Sequence, residues 1–138
     1  MKMKYWLMKV EPSAYSIDDL KRDGTTNWEG VRNYQARNFM RDEMKVGDKV
    51  LFYASNADPS GVTGLAEVSR EARPESKDPT WVMVEIKYVA TFPETVPLDT
   101  LKQTKGLEEM VVTKKGSRLS IQPVTKGEYD IVVKLGRK

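Results

Sequence analysis

Trp28 is the side chain best suited to hold a planar ligand, because its surroundings are polar and loop-like. It lies between Asn27 and Glu29, and Gly30 follows. An aromatic ring can stack on a nucleotide base for about 1–3 kcal/mol, and a glycine lets the backbone approach a ligand closely. The alternatives are a tryptophan in the core and a glycine that only forms a turn. Trp28 and Gly30 are therefore candidates for a base-binding pocket.

Polar side chains follow Trp28 at the start of a predicted helix. Arg32 and Arg37 are suited to contact phosphates, and the first backbone amides of the helix could help to hold an anion. Asn33 is a candidate for the pocket, although it could equally cap the helix. For the two arginines the alternative is a solvated helix face with surface ion pairs.

Tyr53, Ser55 and Asn56 end a predicted strand beside a turn-rich loop. An asparagine amide can read the edge of a base because it offers both donors and an acceptor, and strand ends next to loops often carry binding residues. Turn formation by Ser55 and Asn56 is the alternative. Trp81, at the start of a later strand, is either a pocket residue or a packing residue.

The residue types that are missing limit the possible chemistry. The chain contains no histidine and no cysteine, so serine triads, thiolate catalysis, disulfides and imidazole or thiolate metal sites are excluded. Neither Gly-rich phosphate-loop motif is present. We therefore predict no catalytic residue, no metal and no cofactor. The formal net charge of +3 permits a polyanionic partner without requiring one.

The hydrophobic pattern predicts the elements that must position these residues. Period-two alternation and apolar runs predict strands at 5–10, 49–55, 62–68, 81–92 and 119–122. Capping signals predict helices after Ser16, Asn33 and Thr125, and short helical turns are expected at 98–103 and 107–110. Pro93 and Pro97 should bracket a turn.

The order of these elements predicts one domain over residues 1–138. Strands dominate and the helices fall into two clusters, which favours an α+β fold, mainly β, whose antiparallel or mixed sheet curls into a barrel with short flanking helices. No apolar run approaches the roughly 20 residues of a membrane span. The N-terminus has no signal-peptide pattern, so we expect a cytoplasmic protein.

Several stretches of the sequence resemble the EVE domain family. The stretches that carry the resemblance are residues 5–12, 15–20, 28–38, 47–48, 52–56, 61–68 and 116–124. The run W-E-G-V-R-N-Y-Q-A-R-N at 28–38 is the most specific of them. The match extends over almost the whole chain.

This resemblance implies a PUA-like fold related to YTH and ASCH domains. YTH domains enclose a methylated adenine in aromatic side chains, and EVE domains are thought to read modified bases, with modified cytosines the leading candidates. It also implies that Lys9 and Val31 join the base pocket, and that Ser117, Arg118 and Ser120 contact phosphates. The implied partner is DNA or RNA that carries a modified base in a single strand or flipped out of a duplex.

The sequence departs from the family pattern at two places. Ala54 stands where members usually have histidine, and the linker at 73–81 is short, so the specificity of the pocket stays open. A small-molecule or protein-interaction module that uses the same pocket is the alternative function. The arrangement of Arg32, Arg37 and Arg118 should discriminate, because a nucleic-acid path requires them to converge beside Trp28.

Overall fold

The computed structural model describes residues 3–75, 80–114 and 119–137. Within these ranges one sheet is formed by β1 (Tyr5–Val10), β2 (Thr25–Trp28), β3 (Lys49–Ala54), β4 (Gly61–Pro74), β5 (Val82–Pro97) and β6 (Ile121–Val124). The strand order is β2-β5-β4-β3-β1-β6. β1 and β3 are parallel, whereas the other pairs are antiparallel. The predicted α+β class with a mixed sheet is confirmed.

Short helices flank the sheet. They are α1 (Ile17–Asp23), α2 (Tyr34–Asn38), α3 (Leu98–Gln103) and α4 (Lys126–Gly136), with a π-helical turn at Phe39–Glu43 and a 3₁₀ turn at Val111–Thr113. The π-helical turn continues α2, so the helix predicted after Asn33 changes its hydrogen-bonding pattern partway. No helix among the described residues has the length and apolar character needed to cross a membrane.

The helix starts follow the local signals in the sequence. Ser16 accepts a hydrogen bond from the Asp19 amide at 3.1 Å, and the Asp19 carboxylate accepts one from the Ser16 amide at 2.9 Å. Thr125 and Glu128 form the same reciprocal pair at the start of α4. Such capping boxes satisfy amides that have no partner inside the helix. The caps predicted for α1 and α4 are confirmed.

The sheet separates two hydrophobic clusters, because successive strand residues point to opposite faces. One cluster contains Phe52 and Trp28 together with residues of α1 and α2. The other contains Leu51 and Tyr53 together with residues of α3 and α4. We call the side of the sheet that carries the first cluster the Trp28 face, and the side that carries the second cluster the Tyr53 face.

Two expectations about β4 and β5 are wrong because the strands are irregular: that alternate residues from Val62 to Val68 share one face, and that Pro93 and Pro97 bracket a turn. The register of the pair shifts between Val62 and Gly64, so Val62 packs on the Tyr53 face while Ala66 and Val68 pack on the Trp28 face. The predicted turn between Pro93 and Pro97 is instead part of β5. Bulges account for both results, since a bulge changes the facing of later residues and accommodates a proline.

A buried carboxylate supports the edge where β1 and β3 begin. Asp48 is 2% exposed, and it accepts hydrogen bonds from Trp6 Nε1 at 3.0 Å and from the backbone amides of Lys4 at 3.1 Å and Lys45 at 2.9 Å. Trp6 is therefore a packing residue with a satisfied indole. This network anchors the start of β3, the strand that carries Tyr53 near its other end.

Candidate functional site

Trp28 ends β2, where it is both a core residue and a cavity wall. Its side chain is 7% exposed and meets Phe52 nearly edge to face, with ring centroids 5.9 Å apart and an interplanar angle of 88°. A cavity of about 340 Å³ lies beside it. The cavity is lined by Val10, Ala14, Tyr15, Thr26, Asn27, Trp28 and Glu29. Trp28 is therefore a core residue that also lines a cavity.

Polar groups surround this cavity, which we call the Trp28 cavity. The Tyr15 hydroxyl donates to Asp23 at 2.8 Å, and the Arg73 guanidinium donates to the Asn27 side-chain oxygen. Nη1 of Arg73 is buried and has no hydrogen-bond partner in the described part of the chain. Buried donors normally have a partner, so Arg73 leaves an unsatisfied donor next to a residue that lines the cavity.

The ends of the parallel strands β1 and β3 bring together residues that are far apart in the sequence. The Ser55 amide donates to the Val10 carbonyl at 2.9 Å. The Asn56 side-chain amide donates to Glu11 at 3.4 Å. Asn56 has a φ of 52°, a left-handed conformation that asparagine tolerates better than most residues. Asn56 therefore shapes a turn, as the alternative interpretation expects. Its exposed side-chain amide also faces the charged side chain of Glu11.

Lys9 and Tyr53 do not join Trp28. Tyr53 is 2% exposed and belongs to the cluster on the Tyr53 face, and the Lys9 ammonium lies 5.9 Å from its ring centroid. Burial lowers the pKa of Lys9 and raises the pKa of Tyr53. The structure therefore does not form the single pocket expected to contain Lys9, Tyr53 and Trp28. The sheet separates these residues, because Phe52 faces Trp28 while its neighbour Tyr53 points to the opposite face.

Gly30 and Arg32 are held by a carboxylate from the end of β4. The Gly30 amide donates to Glu75 Oε2 at 2.8 Å, and the Arg32 guanidinium donates to both Glu75 oxygens at 3.0 and 2.9 Å. Hydrogen bonds from Arg32 hold the pKa of Glu75 below its usual range, and the Gly30 amide acts in the same direction. Gly30 has a φ of 81°, a conformation that favours glycine. Gly30 therefore gives the loop the shape that places its backbone amide against Glu75.

The neighbours of Gly30 have mainly structural roles. Val31 is 8% exposed and packs in the Trp28 cluster. Asn33 caps α2, since its side-chain oxygen accepts from the Ala36 amide at 2.9 Å. The capping alternative for Asn33 is therefore observed. Val31 and Asn33 connect the Trp28 wall to the first turn of α2.

Trp81 lies in a group of rings and guanidinium ions beside α2. Its ring stacks on Tyr34 with centroids 5.0 Å apart and an interplanar angle of 29°. The Arg32 guanidinium lies 5.0 Å from the Trp81 centroid, and that of Arg37 lies 5.0 Å from Tyr34 and 6.0 Å from Trp81. Arg37 also donates to the Thr80 carbonyl at 2.8 Å. We call Tyr34, Trp81, Arg32 and Arg37 the Tyr34 platform.

The residues predicted to contact phosphates are only partly brought together. Arg32 and Arg37 converge, but on the ring of Trp81. Ser120 lies at the other end of the sheet order, where its carbonyl accepts from the Lys9 amide at 2.8 Å. Ser117 and Arg118 lie outside the described residues, so their predicted role stays a prediction.

Three residues near these sites are not among those that the sequence predicts to bind the base or its phosphates. Tyr34, Arg73 and Glu75 contact predicted residues through Trp81, Asn27 and Arg32, respectively. Each contact joins residues more than forty positions apart in the chain. Arg73 and Glu75 lie in a polar stretch that reads as a loop, and no local pattern links them to Trp28.

The two departures from the family pattern have different outcomes. Ala54 lines a second cavity of about 270 Å³, whose wall also includes Phe52, Thr63 and Phe92. A methyl group there fills less space than the histidine expected from the resemblance. Residues 76–79 of the short linker lie outside the described residues.

None of the described residues forms a group of three or more acidic side chains that could hold a metal ion.

The fold and the site define an α+β protein of the PUA-like type, with a mixed sheet and an aromatic-walled cavity at the end of a strand. A family model for the EVE domain matches residues 4–135. The chain belongs to the EVE domain family.

Individual relatives agree with this assignment. Human thymocyte nuclear protein 1 is 38% identical over 168 aligned positions, which include 97% of this chain and 74% of the human protein. The structure of human THYN1 in complex with DNA containing 5-methylcytosine is 36% identical, with a TM-score of 0.87 and coverage of 98% of both chains. A YTH domain from Zygosaccharomyces rouxii is 14% identical with a TM-score of 0.60, over 99% of this chain and 88% of the YTH chain. The YTH match shows a shared fold alone.

Proposed function

We propose that this chain is a non-catalytic nucleic-acid-binding module that holds one modified base in the Trp28 cavity. The observation that carries the proposal is an aromatic wall beside a cavity of about 340 Å³, which is near the lower end of the size range of ligand pockets. The human relative bound to DNA containing 5-methylcytosine supports a modified cytosine as the first candidate.

The geometry suggests how the base would be held. Trp28 is 7% exposed, so a base in the cavity would contact only a small part of it and would meet Val10 and Tyr15 on the other walls. The Thr26 hydroxyl would bond its edge, since Thr26 pairs with Ile86 and therefore shares the face of the sheet that carries Trp28. Extrusion from a duplex costs a few kcal/mol, which favours a single strand or an already flipped base.

Selectivity for a modification requires more than burial of one methyl group. Each buried carbon contributes about 0.8 kcal/mol, which corresponds to only about fourfold in affinity. A stronger preference needs a hydrogen bond or a shaped wall. Thr26 is the residue best placed to supply one, because it lines the cavity and its cross-strand partner Ile86 packs in the same cluster as Trp28.

The nearby carboxylates of Asp23 and Glu75 are poorly suited to act as a general acid. Hydrogen bonds from Arg22, and then from Tyr15, lower the pKa of Asp23, and hydrogen bonds from Arg32 lower that of Glu75. Both carboxylates stay ionised at neutral pH, where a general acid needs a raised pKa. Desolvation raises the pKa of Tyr15, followed by its bond to Asp23, so its hydroxyl stays protonated.

The test is direct binding of short labelled oligonucleotides that differ in one cytosine: plain, methylated or hydroxymethylated, as single and double strands at fixed salt. Wild type should prefer one modified base. Thr26→Val, which removes a hydroxyl at nearly constant shape, should reduce that preference, while Trp28→Phe, which keeps a ring, should retain most of it. Equal binding across the series would contradict the proposal. Binding of the free modified nucleoside with no gain from the flanking strand would favour the small-molecule alternative.

A further inference from the structure

Tyr34 is an aromatic side chain that is exposed and yet fixed in position. It is 62% exposed, but its ring stacks on Trp81 and lies under the Arg37 guanidinium, both at 5.0 Å. An exposed ring with these supports contributes little to the core. Its orientation is nevertheless set before any ligand arrives, which reduces the ordering cost of binding.

Trp81 supports Tyr34 and is less available itself. Its ring is already contacted by the Tyr34 ring and by the Arg32 and Arg37 guanidinium groups. Arg32 is further fixed by two bonds to Glu75. The ring that the Tyr34 platform presents to solvent is therefore that of Tyr34, and it is bordered by positive charge.

The Tyr34 platform lies close to the Trp28 cavity. Trp28 pairs with Val84 across β2 and β5, and Trp81 precedes Val84 by three residues, or about 10 Å along an extended chain. α2 carries Tyr34 immediately after Asn33, and Val31 packs in the same cluster as Trp28. A strand with one base in the Trp28 cavity would thus have a neighbouring base within reach of Tyr34.

We propose that Tyr34 is a second stacking site, which binds an unpaired base adjacent in the strand to the one in the Trp28 cavity. The inference rests on the proposed function for the location of the first base. Because every base has a π-face, stacking on Tyr34 is tolerant of sequence. The ligand class is single-stranded nucleic acid or the unpaired stretch beside a flipped base, with Arg37 close enough to meet its phosphate.

The test combines a variant series with an abasic scan. Labelled seven-nucleotide single strands carry a central 5-methylcytosine or cytosine, and one flanking position at a time is made abasic. The proteins are wild type, Tyr34→Phe, Tyr34→Leu and Tyr34→Ala, with Val46→Ala as a control at another exposed apolar residue, 59% exposed. Thermal melts establish that each variant is folded.

We expect Tyr34→Ala and Tyr34→Leu to weaken binding about fivefold to a hundredfold, the range given by the loss of one base stack. Tyr34→Phe should bind like wild type. One flanking abasic position should weaken wild type by a similar factor and have no further effect on Tyr34→Ala. That non-additivity identifies the base that stacks on Tyr34.

The proposed role of the Tyr34 platform is contradicted if Tyr34→Ala binds every strand as wild type does. It is also contradicted if the loss of affinity in Tyr34→Ala is the same whichever flanking position is abasic. Absence of oligonucleotide binding by wild type overturns it as well, and would assign the exposed ring to a protein partner. The proposed function fails separately, when wild type does not distinguish 5-methylcytosine from cytosine. In that case a position-specific loss in Tyr34→Ala on the cytosine strands still supports the platform.

Discussion

Trp28 and Trp81 differ in what surrounds their rings, although each lies at a strand end. Trp28 is 7% exposed and packs edge to face on Phe52 within the core. Trp81 is half-buried and lies among Tyr34 and two guanidinium groups outside the two core clusters. Trp28 thus contributes to the stability of the core and also forms a cavity wall, whereas Trp81 supports a surface group that is not part of the core.

The largest expected effect is on stability at Trp28. Trp28→Ala should lower the free energy of unfolding by about 3–5 kcal/mol, the usual cost of removing a buried tryptophan. Trp81→Ala should cost about 1–2 kcal/mol, since it removes a ring stack and exposed cation–π contacts. Urea unfolding of both variants checks the difference. Equal losses would mean that the two regions are not distinct in packing.

The next effect concerns the electrostatics of the Tyr34 platform. If Arg37 meets a phosphate of a single strand, Arg37→Ala should reduce the slope of log affinity against log salt by about 0.7. Arg41→Ala is the matched control one turn further along, because Arg41 is 48% exposed and paired with Asp42. Binding titrations at several salt concentrations measure both slopes. The same change in both variants would indicate diffuse attraction without a localised contact.

A smaller effect is expected from the clamp between Glu75 and Arg32. The pKa of Glu75 is lowered in the folded state, so the clamp stabilises the fold above the usual value near 4.5 and loses that effect as the pH falls through the lowered pKa. Arg32 is 54% exposed, which limits the contribution to about 1 kcal/mol or less.

Melts of Glu75→Gln and wild type between pH 3 and 7 test this clamp. The difference between the two proteins should be constant above about pH 5 and should shrink in more acidic buffer. A difference that grows on acidification would show that Glu75 is not held as a carboxylate by Arg32 and Gly30.

The smallest expected effect belongs to Lys9, which lies with Tyr53 on the face of the sheet opposite Trp28. Lys9→Met should leave the affinity for a modified oligonucleotide within about twofold, because the sheet separates the ammonium from the Trp28 cavity. Thr26→Val, which alters a cavity wall on the Trp28 face, serves as the positive control. A large loss with Lys9→Met would require the base to bind on the Tyr53 side.

Local sequence signals determined much of the fold. The capping boxes at Ser16 and Thr125, the cap at Asn33 and the alternation of β3 depend on residues a few positions apart. Their physical causes are short-range hydrogen bonds and the period-two alternation of a strand. The sequence also made Trp28 a reasonable wall for a cavity, since its polar neighbours Asn27 and Glu29 line the same space.

Tertiary structure decided the rest, because it depends on contacts between distant segments and on strand irregularities. Register shifts in β4 and β5 moved Val62 to the Tyr53 face and kept Pro93 inside a strand. Strand pairing separated Tyr53 from Trp28, while packing brought Trp81 to Tyr34 and Glu75 to Arg32 over more than forty residues. A side chain's type sets what it can bind, but which partners it meets depends on the facing of each strand, and a single bulge is enough to reverse that facing.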